Sequence, residues 1–231
     1  MLIISTSDIH SPRYLNDFFL ALRDIGGIKA DIAILAGDLV ERGNYQHFSP
    51  VYEALKNRAM YIVSTFGNED FPENRVFYRE KYSSVIWLDD EKIELEINNK
   101  KITIVGSEGI LEKPTIWQLN HGITEDFYMK RFEKIAEMLC NSNSDIKILV
   151  THYASSFQTV FGEKKSAYPF LGYRVIEELS IKNEKGKKCL PNIAIHGHAH
   201  YAKRTFYIVN NVRVYNVALP ANKKIITIQT L

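Results

Sequence analysis

Residues 61–71 read YIVSTFGNEDF. A short, β-branched run stops at a glycine, and an amide and two carboxylates follow at once: Asn68, Glu69 and Asp70. The first half carries the signature of a buried strand. The second half puts polar chemistry at that strand's carboxyl end. The arrangement recurs along the chain. LIIST (2–6) is followed by Ser7, Asp8 and His10, and IAILA (32–36) by Gly37 and Asp38. KILV (147–150) is followed by Thr151 and His152, and IAI (193–195) by His196, Gly197, His198 and His200. In open α/β sheets, ligands bind beyond the carboxyl ends of the strands. Five strands that deliver polar residues in the same way would build one site.

Between these strands the pattern is helical. RYLNDFFLALRDI (13–25) sets Tyr14, Phe18, Leu22 and Ile25 on one face, and Gly26-Gly27 stops it. FSPVYEALKN predicts a second helix starting near Pro50. Strand–helix–strand–helix–strand argues for parallel strands with right-handed crossovers. VIWL (85–88), IELEI (93–97) and KITIVGS (101–107) then read as a meander, and residues 108–123 carry turn signals without a clear period. TEDFYMKRFEKIAEMLC (124–140) is an amphipathic helix with Thr124 as N-cap, and YRVIEELS (173–180) a shorter one. RTFYIVN (204–210), VRVYNVA (212–218) and KIITIQTL (224–231) are expected strands, with a hairpin turn at Asn210-Asn211. Without repeats or linkers, the expectation is one α/β domain over residues 1–231 with two sheet regions.

The bulk properties exclude several classes. The 231 residues are 45% hydrophobic, enough for a sizeable core, and the formal net charge is +2. That balance makes no electrostatic case for nucleic acid or a membrane surface. KNEKGKK (182–188) reads as a solvated loop. Nothing approaches the roughly 18 apolar residues of a membrane span, and MLIISTSDIH turns polar too early for a signal peptide. The two cysteines, Cys140 and Cys189, lack metal-ligand spacing. A disulfide framework is not indicated, so a reducing cytoplasm is the expected compartment.

The residue types at the strand ends suit metal. Asp8, His10, Asp38, Asn68, His152, His198 and His200 are too many ligands for one tetrahedral zinc site. They suit two divalent ions sharing a carboxylate, with manganese favoured and iron, nickel, cobalt or zinc acceptable to the same donors. Two ions roughly 3.5–4 Å apart can hold a bridging hydroxide and clamp a phosphoryl group for in-line attack. Gly37, Gly67 and Gly197 fit tight backbone turns beside them.

The order of these residues resembles the calcineurin-like metallophosphoesterase family, whose motifs run D-x-H, G-D, G-N-H-[DE], a later H and G-H-x-H. They stand here as Asp8-Ile9-His10, Gly37-Asp38, Gly67-Asn68-Glu69-Asp70, His152 and Gly197-His198-Ala199-His200. The segment GSEGILEKPTIWQLNHG (106–122) is also similar to a stretch of small archaeal and bacterial predicted phosphohydrolases. The resemblance implies two mixed sheets packed as a sandwich and flanked by helices. It implies one metal held by Asp8, His10, Asp38 and His200, and another by Asp38, Asn68, His152 and His198, with Asp38 bridging. It also allows a non-catalytic scaffold, a role some proteins of this fold have taken.

The third motif departs from the family: Glu69 stands where a histidine that serves the leaving group is usual. Proton donation is worth roughly 10²–10⁴-fold in rate, and an ionised glutamate cannot donate. Three outcomes are open. Glu69 is held protonated, by burial or by carboxylates such as Asp70; or it serves structure and His121 takes the acid role; or the substrate's leaving group needs little protonation. The last two favour diesters or anhydrides with good leaving groups over alkyl monoesters, and family members lacking this histidine tend to be phosphodiesterases. The expected function is therefore phosphodiester hydrolysis on a small substrate, with a protein or nucleotide phosphatase as the runner-up. His196 is a candidate for orienting a ligand, and His47 reads as a surface residue. Tyr153, Phe157, Phe161, Tyr168 and Trp117 lie in loops suited to stacking, packing or a partner surface, a homo-oligomer included.

Overall fold

The computed structural model describes residues 1–184 and 189–230. Among these residues, eleven strands form two sheets. The first holds β1 (Leu2–Thr6), β2 (Ala30–Ala36), β3 (Ala59–Thr65), β4 (Val85–Leu88) and β11 (Ile226–Gln229), in the order β11-β1-β2-β3-β4. The second holds β5 (Glu91–Ile97), β6 (Lys100–Ser107), β7 (Ile146–Thr151), β8 (Ile193–His196), β9 (Phe206–Val209) and β10 (Val212–Asn216), in the order β5-β6-β7-β8-β10-β9. β1 to β4 run parallel, as do β6, β7, β8 and β10, while β11, β5 and β9 are antiparallel edges. Both sheets are mixed, as the family resemblance implied.

Apolar side chains from both sheets meet between them, among them Ile3, Ile32, Val63, Ile104, Ile148 and Ile195. The outer faces are covered by helices. α1 (Leu15–Asp24), α2 (Ser49–Leu55) and α3 (Arg75–Lys81) belong to the first sheet's side, where Phe18, Val51 and Tyr78 are buried. α5 (Glu125–Cys140) and α6 (Val175–Glu184) cover the second, through Phe132, Ile135, Ile176 and Leu179. Two short helices, α4 (Ile116–Asn120) and α7 (Leu219–Asn222), complete the set.

Most expected elements form. Pro50 opens α2, and the Thr124 hydroxyl accepts the Phe127 N–H at 3.4 Å at the start of α5. Asn210 and Asn211, both at positive φ, turn β9 into β10. The meander is corrected. β4 pairs parallel with β3 in the first sheet, whereas β5 and β6 open the second. The chain changes sheets at Asp89-Asp90, with Asp90 at φ 56°. The cysteine reading is corrected too: Cys140, at the end of α5, is joined to Cys189, just before β8, by a 2.03 Å S–S bond. A separation of 49 residues hides this pairing in the sequence. Residues 182–184 of the basic run end α6, and 185–188 lie outside the described residues. Among the described residues, no helix is long and apolar enough to cross a membrane.

Gly106 of β6 lies against Leu88 of β4 across the two sheets; an added Cβ would overlap the Leu88 side chain. Gly106→Ala is expected to lower stability by about 1–3 kcal/mol, read as a reduced urea midpoint with an unchanged m-value.

Candidate metal centre

Each candidate ligand follows a strand. Asp8 and His10 follow β1, Asp38 follows β2 and Asn68 follows β3, three neighbours in the first sheet. His152 follows β7, and His198 and His200 follow β8, neighbours in the second. The sheets present these ends together, so side chains from both halves of the chain converge.

They fall into two groups. Asp8, His10 and His200 offer ligand atoms within 4.8 Å of one another, as do Asp38, His152 and His198. Asn68 joins the second group, its Oδ1 3.1 Å from His152 Nε2. Asp38 Oδ2 reaches toward both, 3.4 Å from His152 Nε2 and 3.7 Å from His10 Nε2. Asp8, Asp38, His10 and His152 are buried, His198 and His200 are half-buried, and Asn68 faces solvent.

Neighbouring groups fix which imidazole nitrogen is offered. His152 Nδ1 lies 3.0 Å from the Ala36 carbonyl; donating there leaves the Nε2 lone pair facing Asp38 and Asn68. His198 Nε2 lies 3.2 Å from the Phe170 carbonyl, which leaves Nδ1 facing His152 Nε2 at 3.1 Å. Two bare nitrogens this close need a cation or a proton between them. Among the described residues, His10 Nε2 is buried without a hydrogen-bond partner. The donors are thus of a type and arrangement that fit divalent metal.

The electrostatics agree. Burial by itself would raise the Asp8 and Asp38 carboxyls, yet imidazoles overcome it and hold both below the usual range: His200 and His152 at Asp8, chiefly His152 at Asp38. Burial would lower His152, but Asp38 and Asp8 push it up to about 10. Two carboxylates out of water draw positive charge from whatever is at hand.

The backbone is bent to make this possible. Asp8, His10, Asp38 and His198 have φ of 56°, 41°, 51° and 67°, in the left-handed region that non-glycine residues rarely enter. Each costs on the order of 1–3 kcal/mol, a concentration typical of functional sites. At Gly67 an added Cβ would overlap the Asp38 carboxylate, so only glycine lets β3's end pass so near. The sequence signal available for this crowding was Gly67 itself; the left-handed ligands have none.

The remaining candidates take other places. Asp70 is buried and accepts N–H bonds from Gly67 at 2.9 Å and Leu39 at 3.2 Å, and the Tyr78 hydroxyl at 3.2 Å. It ties the β2 and β3 turns together, and burial and the Asp38 charge push its carboxyl up to about 7. His196 points away, its Nε2 2.6 Å from the Thr159 hydroxyl; burial lowers it to about 4. Glu69 donates its N–H to Asp38 Oδ1 at 2.8 Å, while its side chain accepts the Arg42 N–H at 2.8 Å. His121 is exposed and stacked on Trp117 at 4.0 Å; among the described residues it shares no hydrogen bond or ring contact with the ligand groups. His47 is exposed, 3.3 Å from Asn44 Nδ2. Missed by sequence reading was Glu108. Its carboxylate pairs with Arg75 at 2.8 Å and accepts the Tyr153 hydroxyl at 3.1 Å, and its carbonyl accepts the His152 and Tyr153 N–H groups.

A family model, calcineurin-like phosphoesterase, matches residues 1–202. The chain belongs to the calcineurin-like phosphoesterase family. No curated protein matches the sequence. Solved structures share the fold at low identity. The protein TT1561 of Thermus thermophilus is 14% identical with a TM-score of 0.59, the alignment covering 98% of this chain and 97% of that one. A hypothetical protein from the same organism is 13% identical with a TM-score of 0.58, over 94% and 75% of the two chains. A Staphylococcus aureus protein proposed as a 5′-nucleotidase is 14% identical with a TM-score of 0.58; all of this chain matches about half, 51%, of that one. Family membership makes the chain a metal-dependent phosphoesterase in kind, and its two ligand groups are candidate metal sites.

Two outcomes follow from this geometry. Asp38→Asn is expected to reduce bound manganese at both groups, to well under half of wild type by elemental analysis after dialysis, whereas His10→Ala should cost no more than one ion of two. Glu108 supplies a pH test. Burial would raise its carboxyl, but Arg75 and Arg131 hold it below the usual range. Its stabilising contribution is therefore complete above about pH 4.3, the ordinary glutamate value, and fades as pH falls through the lowered folded-state value. The urea-midpoint gap between wild type and Glu108→Gln should be constant from pH 8 to 6 and shrink on acidification below that point.

Proposed function

We propose that the chain hydrolyses phosphodiesters at a dinuclear centre, manganese favoured, with Asp38 shared between the two ions. The observation that carries the diester preference is the placement of Glu69. Its carboxylate accepts the Arg42 N–H at 2.8 Å, and its own N–H holds Asp38 Oδ1 at 2.8 Å. A side chain so engaged shapes the turn at 41–43; it is not poised to protonate a leaving oxygen. This supports the reading in which the leaving group departs with little protonation, as an activated diester allows.

Bound ions would supply Lewis-acid polarisation of the phosphoryl group and an activated water. The chain's own residues do the rest. By giving the opposite N–H to the Ala36 and Phe170 carbonyls, His152 and His198 would turn Nε2 and Nδ1 toward the ions. Asp70 and the Glu69 N–H hold the two turns that carry Asp38 and Asn68. A monoester dianion brings one more negative charge than a diester toward the half-buried Glu69, which also favours the diester. A phosphomonoesterase is the alternative within the family, and a metal-free scaffold the alternative outside catalysis.

Paired p-nitrophenyl phosphomonoester and phosphodiester substrates with the manganese-loaded protein separate these readings. The diester is expected to have the higher kcat/KM. Faster monoester turnover would sink the diester assignment, and a protein that neither retains metal nor gains activity with added manganese would favour the scaffold. Glu69→His should raise the monoester-to-diester ratio by roughly tenfold or more; an unchanged ratio would place position 69 away from the leaving group.

A further inference from the structure

Arg75, the first residue of α3, joins the two sheets through one side chain that is 12% exposed. Its Nε donates to the Asp70 carbonyl at 3.3 Å, in the turn that carries Asn68. Its guanidinium lies over the ring of Phe66, just after β3, 4.9 Å from the centroid. Nη1 donates to Asp89 at 2.9 Å and 3.1 Å, where the chain changes sheets. Nη2 donates to Glu108 Oε2 at 2.8 Å, just beyond β6 in the second sheet. The Asp70 side chain binds the Gly67 and Leu39 N–H groups, so the hold on this turn extends to the turn of Asp38.

Glu108 passes that hold to the ligands of the second sheet. Its carbonyl accepts the N–H groups of His152 at 3.2 Å and Tyr153 at 2.9 Å, and its Oε1 accepts the Tyr153 hydroxyl at 3.1 Å. The Tyr153 ring stands edge-on to His198, centroids 4.9 Å apart, and tilted beside His152 at 5.4 Å. The turn around Glu108 is itself pinned. Asp90 accepts the Ser107 hydroxyl at 2.5 Å and Arg131 Nε at 3.0 Å, and Arg131 Nη1 donates to the Gly109 carbonyl at 3.0 Å. An unbroken series of contacts thus runs from the turn of Asn68 to His152 and His198. A buried ion pair is often replaceable by apolar residues without loss of stability. What apolar residues cannot supply is direction, and metal–ligand distances tolerate only about ±0.2 Å.

We propose that Arg75, acting through Glu108 and Tyr153, is a positioning residue for the second ligand group: it sets the spacing between Asp38 and Asn68 on one sheet and His152 and His198 on the other, and so the affinity for the ion they hold. The inference rests on the dinuclear reading of the centre and not on the diester preference. Charge and position pull in opposite directions here. Removing the Arg75 cation leaves more negative charge beside the group, which by electrostatics alone tightens a divalent ion. Losing the spacing loosens it.

The test is the manganese Kd of the metal-stripped protein, measured by isothermal titration calorimetry in the wild type and in a His10→Ala background, where the second group is the intact one. Arg75→Gln is expected to weaken that ion by roughly tenfold or more. Arg75→Lys should weaken it as well, although the charge is kept, because an ammonium lacks the planar fork that reaches Asp89 and Glu108 together. Tyr153→Phe, which changes no charge and keeps the ring, should shift Kd in the same direction. Urea midpoints of the metal-free variants separate positioning from stability. Unchanged or tighter manganese binding in folded Arg75→Gln, with a lowered midpoint, makes the ion pair structural only and overturns the proposal. If Arg75→Gln does not fold, Tyr153→Phe decides: a raised Kd supports the proposal and an unchanged Kd overturns it. A wild-type protein that takes up no manganese overturns the dinuclear reading itself, and the proposal with it.

Discussion

Two carboxylates lie out of water where the sheets meet, and the surrounding structure is arranged around that fact. Asp8 and Asp38 are 0% and 2% exposed. Ionised groups so buried cost several kcal/mol each unless charge and hydrogen bonds compensate. Compensation comes from both sheets. Asp8 accepts the Ser7 hydroxyl at 2.5 Å and the His198 N–H at 3.0 Å, and faces His200 Nε2 at 2.9 Å. Asp38 is held by the Glu69 N–H and faces His152 and His10. Four ligand residues accept left-handed backbone to reach these positions, and Gly67 gives up a side chain so that one carboxylate has room.

Much of this was legible because the chemistry sits at strand ends, where an apolar run breaks into polar residues. The parallel run β1 to β3, the two principal helices of the outer layers and the seven candidate ligands could be read from that pattern, whereas the parallel pairing of β4 and of the second sheet could not. What could not be read depended on contacts distant in sequence. VIWL and IELEI look alike as strands, but nothing local tells that Asp89-Asp90 carries the chain from one sheet to the other. The Cys140–Cys189 bond depends on α5 ending beside the start of β8. α4 was missed because its apolar residues face outward, so no core-facing period exists; its Thr115-x-x-Gln118 capping box was the one available sign. Glu108 was hidden because a glutamate after a strand looks like a turn residue until Arg75 and Tyr153 are seen around it.

Position 69 shows how a substitution at a motif can preserve architecture while altering chemistry. The backbone of Glu69 does what the turn needs, giving its N–H to Asp38. Its side chain is recruited by the Arg42 N–H, in a loop where Arg42 is itself left-handed at φ 52°. The turn that displays Asn68 is thereby braced from both strands, and the Asn68 Oδ1 is held 3.1 Å from His152 Nε2.

The hydrogen bond from His198 to Asp8 joins residues 190 positions apart. A contact so distant in the chain carries a large loop-closure entropy that must be met before it returns any stabilisation. The first sheet brings Asp8, His10, Asp38 and Asn68 together from the first third of the chain, but three of the four imidazoles, His152, His198 and His200, come from the second. Docking of the second sheet supplies them, so the ligand set is completed in the step that excludes water from the inter-sheet core. Metal capacity in this protein is therefore a measure of finished folding.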